Sequence, residues 1–98
     1  MEITKRLSGT SLKIDLDGRL DTTTAPALEG ELKASLEGIT ELIFDFAKLA
    51  YVSSAGLRVL LSAQKVMNKQ GKMVIRNACD DIKEVFDITG FSDILTLE

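Results

Sequence analysis

The chain contains no histidine and no tryptophan, and only one cysteine and one proline. Without histidine it lacks the commonest general base at neutral pH and the commonest metal ligand. The single cysteine, Cys79, excludes an internal disulfide and a cysteine-rich zinc site. It reads as a small buried or half-buried apolar residue. No apolar run approaches the roughly 20 residues that span a bilayer. Met1-Glu2-Ile3-Thr4-Lys5-Arg6 lacks the apolar centre of a signal peptide, so no membrane association and a cytoplasmic location are expected. The net charge of −3 supplies no positive surface for direct nucleic-acid binding. The few aromatics do not alternate with basic residues as a base-stacking platform would require. Phosphate-binding signatures, a Walker-type loop or a GxGxxG turn, are also missing. No metal or cofactor is expected.

What remains is ordinary for a folded protein. Ninety-eight residues, 45% hydrophobic and 28% charged, predict one soluble globular domain over residues 1–98. Ile3 to Leu7 is a weak strand candidate, followed by a turn at Ser8-Gly9-Thr10. Leu12-Lys13-Ile14-Asp15-Leu16-Asp17 alternates apolar and polar, the pattern of a half-exposed strand. These two strands predict a hairpin at a sheet edge. Thr22-Thr23-Thr24-Ala25-Pro26 reads as a helix start, with hydroxyl caps and proline in the first turn. Leu28, Leu32 and Leu36 then form one apolar face, and Gly38 marks the stop.

The nearly all-apolar run Leu42 to Phe46 predicts a buried central strand. A second helix is expected from about Ser54 to Lys69, with Gly71 as its C-terminal signal. Lys72 to Asn77 is the next strand. A third helix capped by Asp80 or Asp81 follows, with Ile82, Val85 and Phe86 on its inward face. Thr89-Gly90 closes it, and Asp93 to Leu97 reads as a short final strand. The order β-β-α-β-α-β-α-β predicts an α/β domain with a mostly parallel sheet and an antiparallel edge hairpin. With only three helices, one sheet face is expected to be incompletely covered.

The chemistry-bearing feature is Ser53-Ser54, placed where a strand gives way to a helix. A helix N-terminus offers unpaired N–H groups and the positive end of the dipole. A serine there serves as a cap, or as a site for a phosphate. One hydroxyl suffices for capping, so the pair is redundant in that role. A hydrolase nucleophile elbow would need a base, and histidine is absent. The helix that follows carries two apolar sides, Leu57-Leu60-Leu61 and Val59-Ala63-Val66. One must meet the sheet. The other is either covered by a neighbouring helix or exposed as a partner surface.

Y-V-S-S-A-G-L-R-V-L-L at Tyr51 to Leu61, preceded by L-I-F-D-F-A-K-L-A, closely resembles the STAS domain family, the anti-sigma-factor antagonists. G-R-L-D before T-T-T-A-P-A-L resembles the start of its first helix, and I-R-N-A-C-D-D-I-K-E-V-F-D-I-T-G-F its closing strand, helix and Thr-Gly-aromatic end. The similarity covers nearly the whole chain.

That resemblance implies an anti-anti-sigma factor without catalytic residues of its own. It would bind an anti-sigma factor that is also a serine kinase, release a sigma factor, lose binding on phosphorylation, and be reset by a serine phosphatase. Counting from Gly56, the family's phosphoserine falls on Ser54, with Ser53 the runner-up. Asp21, Ser53, Ser54, Ala55, Gly56, Leu57 and Arg58 are the implied partner-binding residues. Asp21 and Asp45 are expected near strand ends beside the serines, as turn-forming or strand-end carboxylates, or as groups that recognise the kinase or help orient Mg²⁺ in the complex. Kinase-regulated members often carry Asp where this chain has Ser53, and Ser or Thr where it has Ala55. The alternative is an unphosphorylated STAS scaffold or adaptor subunit of a transporter or signalling complex. A nucleotide-binding role of its own is a weaker third option.

Overall fold

The computed structural model describes residues 1–98. An alternating strand and nearly all-apolar ones build a four-stranded sheet in the order β1-β2-β3-β4. The strands are β1 Glu2–Ser8, β2 Ser11–Leu20, β3 Glu41–Val52 and β4 Lys72–Arg76. β1 runs antiparallel to β2, whereas the β2–β3 and β3–β4 pairs are parallel. Three helices complete the fold: α1 Ala25–Ser35, α2 Ser54–Gln70 and α3 Asp80–Thr89. The expected α/β architecture, with its antiparallel edge hairpin, is the one that forms.

The two sheet faces have opposite characters. Leu12, Ile14 and Leu16 on β2, Leu42, Phe44 and Phe46 on β3, and Met73 and Ile75 on β4 are buried in a single core with residues of all three helices. Among the helical contributors are Leu28 and Leu32 of α1, Leu60 and Met67 of α2, and Ile82 and Phe86 of α3. The other face carries Lys13, Asp15, Asp45 and Arg76, brought side by side by the strand register. Only Ile43 and Val74, an adjacent cross-strand pair, are buried there, outside the core cluster. Incomplete cover of one face is therefore a property of the fold.

Several details differ from expectation. Asp93–Leu97 does not form a strand. A 3-10 turn occupies Phe91–Asp93, and a single parallel bridge joins Ile75 to Leu97. Leu95 plugs the core instead of lying along the sheet. β3 does not stop near Phe46 but runs on to Val52, past two register shifts in its pairing with β2. The N-cap of α3 is Cys79, and Asp80 and Asp81 lie in its first turn, where their charge suits the dipole. Cys79 is accordingly exposed, not buried.

The second apolar side of α2 is largely covered. Val59 and Ala63 are buried, and with Val66 they line a groove whose other wall is Leu32 and Leu36 of α1. Only Val66, 40% exposed, remains of the surplus. The apolar excess of this helix is thus spent on helix–helix packing, and it does not form a broad exposed patch.

Candidate functional site

The site is built where β2 and β3 end and α1 and α2 begin. Leu20, the last residue of β2, is fully buried, and its carbonyl accepts the Ser53 N–H at 2.8 Å. That bond fixes where β3 gives way to α2. Ser53 keeps extended backbone, with φ −90° and ψ 175°, and is the N-cap. Its hydroxyl oxygen accepts the Gly56 N–H at 3.3 Å, and its carbonyl accepts the Leu57 N–H at 2.9 Å. Ser53 is half-buried in this role.

Ser54 is the first helical residue and is exposed. Of the two serines, Ser53 is thus the cap, because the Leu20–Ser53 bond sets the helix start. No acidic residue lies in the first turn of α2, so nothing offsets the positive end of its dipole there. Arg58, four residues on and therefore above Ser54 on the same helix side, is exposed.

Gly56 has a steric reason. A Cβ at this position would lie 2.7 Å from Leu20 Cγ and 3.0 Å from the Leu20 carbonyl oxygen. The start of α2 presses on the end of β2, and a side chain would lift it away. Leu57 beside it is buried in the core. Of the seven residues implied as partner-binding, Gly56 and Leu57 therefore support the site from beneath. Ser54 and Arg58 are exposed, while Asp21, Ser53 and Ala55 are half-buried at its rim.

Asp21 organises the neighbouring helix start. Its Oδ1 accepts the Thr23 N–H at 3.0 Å, the Thr23 hydroxyl at 2.7 Å and the Thr24 N–H at 3.1 Å. The Thr23 hydroxyl is the main reason the carboxyl titrates below the ordinary aspartate range; desolvation opposes it, and the Thr23 and Thr24 N–H groups help to outweigh that. Thr24 is the N-cap of α1, but it makes no side-chain cap bond to the helix. Its hydroxyl instead donates to the Arg19 carbonyl at 2.8 Å and accepts the Asp21 N–H at 2.8 Å. The threonines expected as caps thus lock the preceding turn.

Asp45 is not at the end of its strand. It sits on the open sheet face, 3.6 Å from Lys13, and accepts the Asn77 side-chain amide at 3.1 Å and the Ala47 N–H at 2.9 Å. Desolvation raises its pKa, but those donors and the Lys13 charge outweigh that and leave it lowered. Its partners all belong to the sheet face, so its expected place beside the serines is overturned.

One pair at the site was not anticipated. Arg19 and Tyr51 are cross-strand partners, and the guanidinium carbon lies 4.3 Å from the Tyr51 ring centroid. Arg19 also approaches Asp21 at 3.9 Å. Tyr51 is 40% exposed, so the pair forms an amphipathic shoulder near the serines. The signal that finds it is the length of β3, which the sequence conceals behind Ala47, Lys48 and Ala50. On the other side, Thr22, Pro26, Ala55, Arg58 and Ser62 line a shallow depression of about 190 Å³ between the starts of α1 and α2.

Comparison with known proteins identifies the family. The model of the STAS domain matches residues 2–98. The putative anti-sigma factor antagonist BtrV of Bordetella bronchiseptica is 40% identical over 81 residues, covering 81% of this chain and 70% of that protein. The chain therefore belongs to the STAS domain family, among the anti-sigma factor antagonists.

The fold is likewise that of the anti-sigma factor antagonist SpoIIAA. Its unphosphorylated form superposes with a TM-score of 0.79 at 17% identity, covering 99% of this chain and 87% of that one. The phosphorylated form of the Bacillus protein gives 0.78 at 17% identity, covering 99% and 91%. No helix here is long and apolar enough to cross a membrane.

Proposed function

We propose that this protein binds an anti-sigma factor that is itself a serine kinase, thereby releasing a sigma factor, and that phosphorylation of Ser54 by that kinase ends the interaction. A serine phosphatase then restores the binding form. The observation that carries this reading is the division of labour between two adjacent hydroxyls. Ser53 is occupied as the cap, whereas Ser54 is exposed beside it at an uncompensated helix N-terminus. A kinase active site can reach Ser54 without unwinding the helix.

The physical consequence of modification is local. A phosphate adds about −1.5 to −2 charge at neutral pH. At an exposed helix N-terminus this is favourable by about 0.3–1 kcal/mol, so the domain stays folded. That one fold serves both forms of SpoIIAA supports the same expectation. The loss falls on the interface, where the new phosphate meets the phosphates of the kinase-bound nucleotide and displaces packed atoms. A loss of about 2.7 kcal/mol weakens binding about a hundredfold.

The test uses the cognate kinase and ATP with a mass readout. The wild type is expected to gain one phosphate and Ser54→Ala none, while Ser54→Ala binds at least as tightly as wild type. Ser54→Asp is expected to stay folded and to bind about a hundredfold more weakly. Stoichiometric phosphorylation of Ser54→Ala would move the site to Ser53. The competing reading, a constitutive scaffold or adaptor, is favoured by Ser53 and Ala55 standing where kinase-regulated members carry Asp and a hydroxyl residue. A wild type that takes no phosphate from its kinase decides for it.

A further inference from the structure

β1 is an edge strand with unexplained charges. Glu2 lies directly opposite Asp17 of β2, and Arg6 directly opposite Lys13. Like charges in facing positions destabilise a strand pair. Neither Glu2 nor Arg6 makes a salt bridge within the chain, although Lys5 between them pairs with Glu31 of α1. Along the same strand Leu7 is 66% exposed, and Met1 just before it is 36% exposed. The opposite edge differs, because β4 is partly closed by the bridge from Ile75 to Leu97.

We propose that β1 pairs antiparallel with β1 of a second copy of this chain, centred on Thr4, extending the sheet across a two-fold axis. In that register Glu2 faces Arg6 of the other copy, and Arg6 faces its Glu2. Each charge left unmatched by β2 gains an opposite partner. Met1 meets Leu7, pairing the two exposed apolar side chains, and Thr4 meets Thr4. A register centred on Lys5 would set Lys5 against Lys5 and leave Glu2 opposite Ser8. The strand is thus self-complementary in one register, as an isologous interface requires.

The backbone allows the same register. Gly9-Thr10 forms a two-residue turn, with Gly9 at φ +61°, closed by the facing pair Ser8 and Ser11. The pair that closes such a turn is hydrogen-bonded, and bonded and non-bonded pairs alternate along an antiparallel ladder. The N–H and C=O groups of Ile3, Lys5 and Leu7 therefore point away from β2. In the Thr4 register Ile3 exchanges bonds with Lys5 of the other copy. Glu2 and Arg6 then occupy non-bonded pairs, where facing Cα atoms are closest, at about 4.5 Å. None of the site residues lies on β1, so pairing there and partner binding at Ser54 can be perturbed separately.

The experiment is analytical ultracentrifugation of the full chain over a concentration series. The wild type is expected to show a monomer–dimer equilibrium. Arg6→Glu and Glu2→Arg should each weaken it about tenfold or more. Both should raise the thermal midpoint of the monomer, because each replaces a like-charge pair with an attractive one. The double variant Glu2→Arg/Arg6→Glu should recover the dimer that either single variant loses. In a Cys79→Ser background, Thr4→Cys should form an interchain disulfide under mild oxidation, since the two Cα atoms lie within bridging distance. The proposal is overturned by a wild type that stays monomeric up to about 1 mM, the weakest association worth the name. It is equally overturned by a dimer that the single reversals leave intact, or by a double variant that fails to recover it.

Discussion

Two helices start at the same end of the sheet, and their starts are built differently. At α1 the polar groups are turned inward. The Asp21 carboxylate accepts three bonds, and the Thr24 hydroxyl bridges Arg19 and Asp21. At α2 one serine is consumed by capping and its neighbour is left exposed, with no acidic residue in the first turn. Both arrangements hold a helix in place. Only the second places an exposed hydroxyl on the first residue of the helix itself, where another molecule can reach it. A hydroxyl held outside the structural network can be modified at little cost to the fold.

The strongest way to break the contrast is to move α2 itself. Gly56→Val forces a branched side chain against Leu20, and overpacking of this kind costs about 1–3 kcal/mol. Urea denaturation should show the loss, and partner binding should fall with it, because the serine end is displaced from β2. Unchanged stability would mean that α2 does not rest on Leu20.

Asp21→Ala should come next, since it removes three accepted hydrogen bonds and an approach to Arg19. The Asp21 pKa is lowered in the folded state, so its contribution is present above the ordinary aspartate range and disappears as pH falls through the lowered value. The stability gap between wild type and Asp21→Ala should therefore be wide at neutral pH and narrow in acid. A gap independent of pH would show that the carboxylate charge is irrelevant to the turn.

The smallest effects sharpen the comparison most. Ser53→Ala should cost about 1 kcal/mol through loss of the cap. Ser54→Ala should change stability by less than about 0.5 kcal/mol, as expected for an exposed side chain outside the bonding network. Thermal or chemical denaturation of the two variants side by side decides it. Equal losses would erase the distinction between a committed hydroxyl and a free one.

The parts of the fold that announce themselves in sequence are those where periodicity and burial coincide. β2 alternates cleanly, and Leu28, Leu32 and Leu36 are all buried as their spacing predicts. Ile82 and Phe86 do the same for α3. Elsewhere local pattern is insufficient. The extension of β3 to Val52 depends on β2 being long enough to pair with it, through Arg19–Tyr51 and Leu20–Val52. Asp93–Leu97 is apolar enough for a strand, but a single bridge at Ile75–Leu97 is all the pairing it makes with β4. Val59 and Ala63 look surplus until α1 is laid beside them. Cys79 looks like core and is a helix cap at the surface.

By itself, the sequence determined the element order, the edge hairpin, the α/β class and the segment that carries the serines, because these follow from hydrophobic period, turn residues and helix signals within a few positions of one another. Only the tertiary structure decided which serine is bound and which is free, that Asp45 belongs to the open sheet face, and that Arg19 and Tyr51 form one feature. Each of those depends on a contact between residues far apart in the chain. The Ser53 N–H bonded to the Leu20 carbonyl is the shortest statement of it: one long-range hydrogen bond sets the helix start, and the helix start assigns the two hydroxyls their roles.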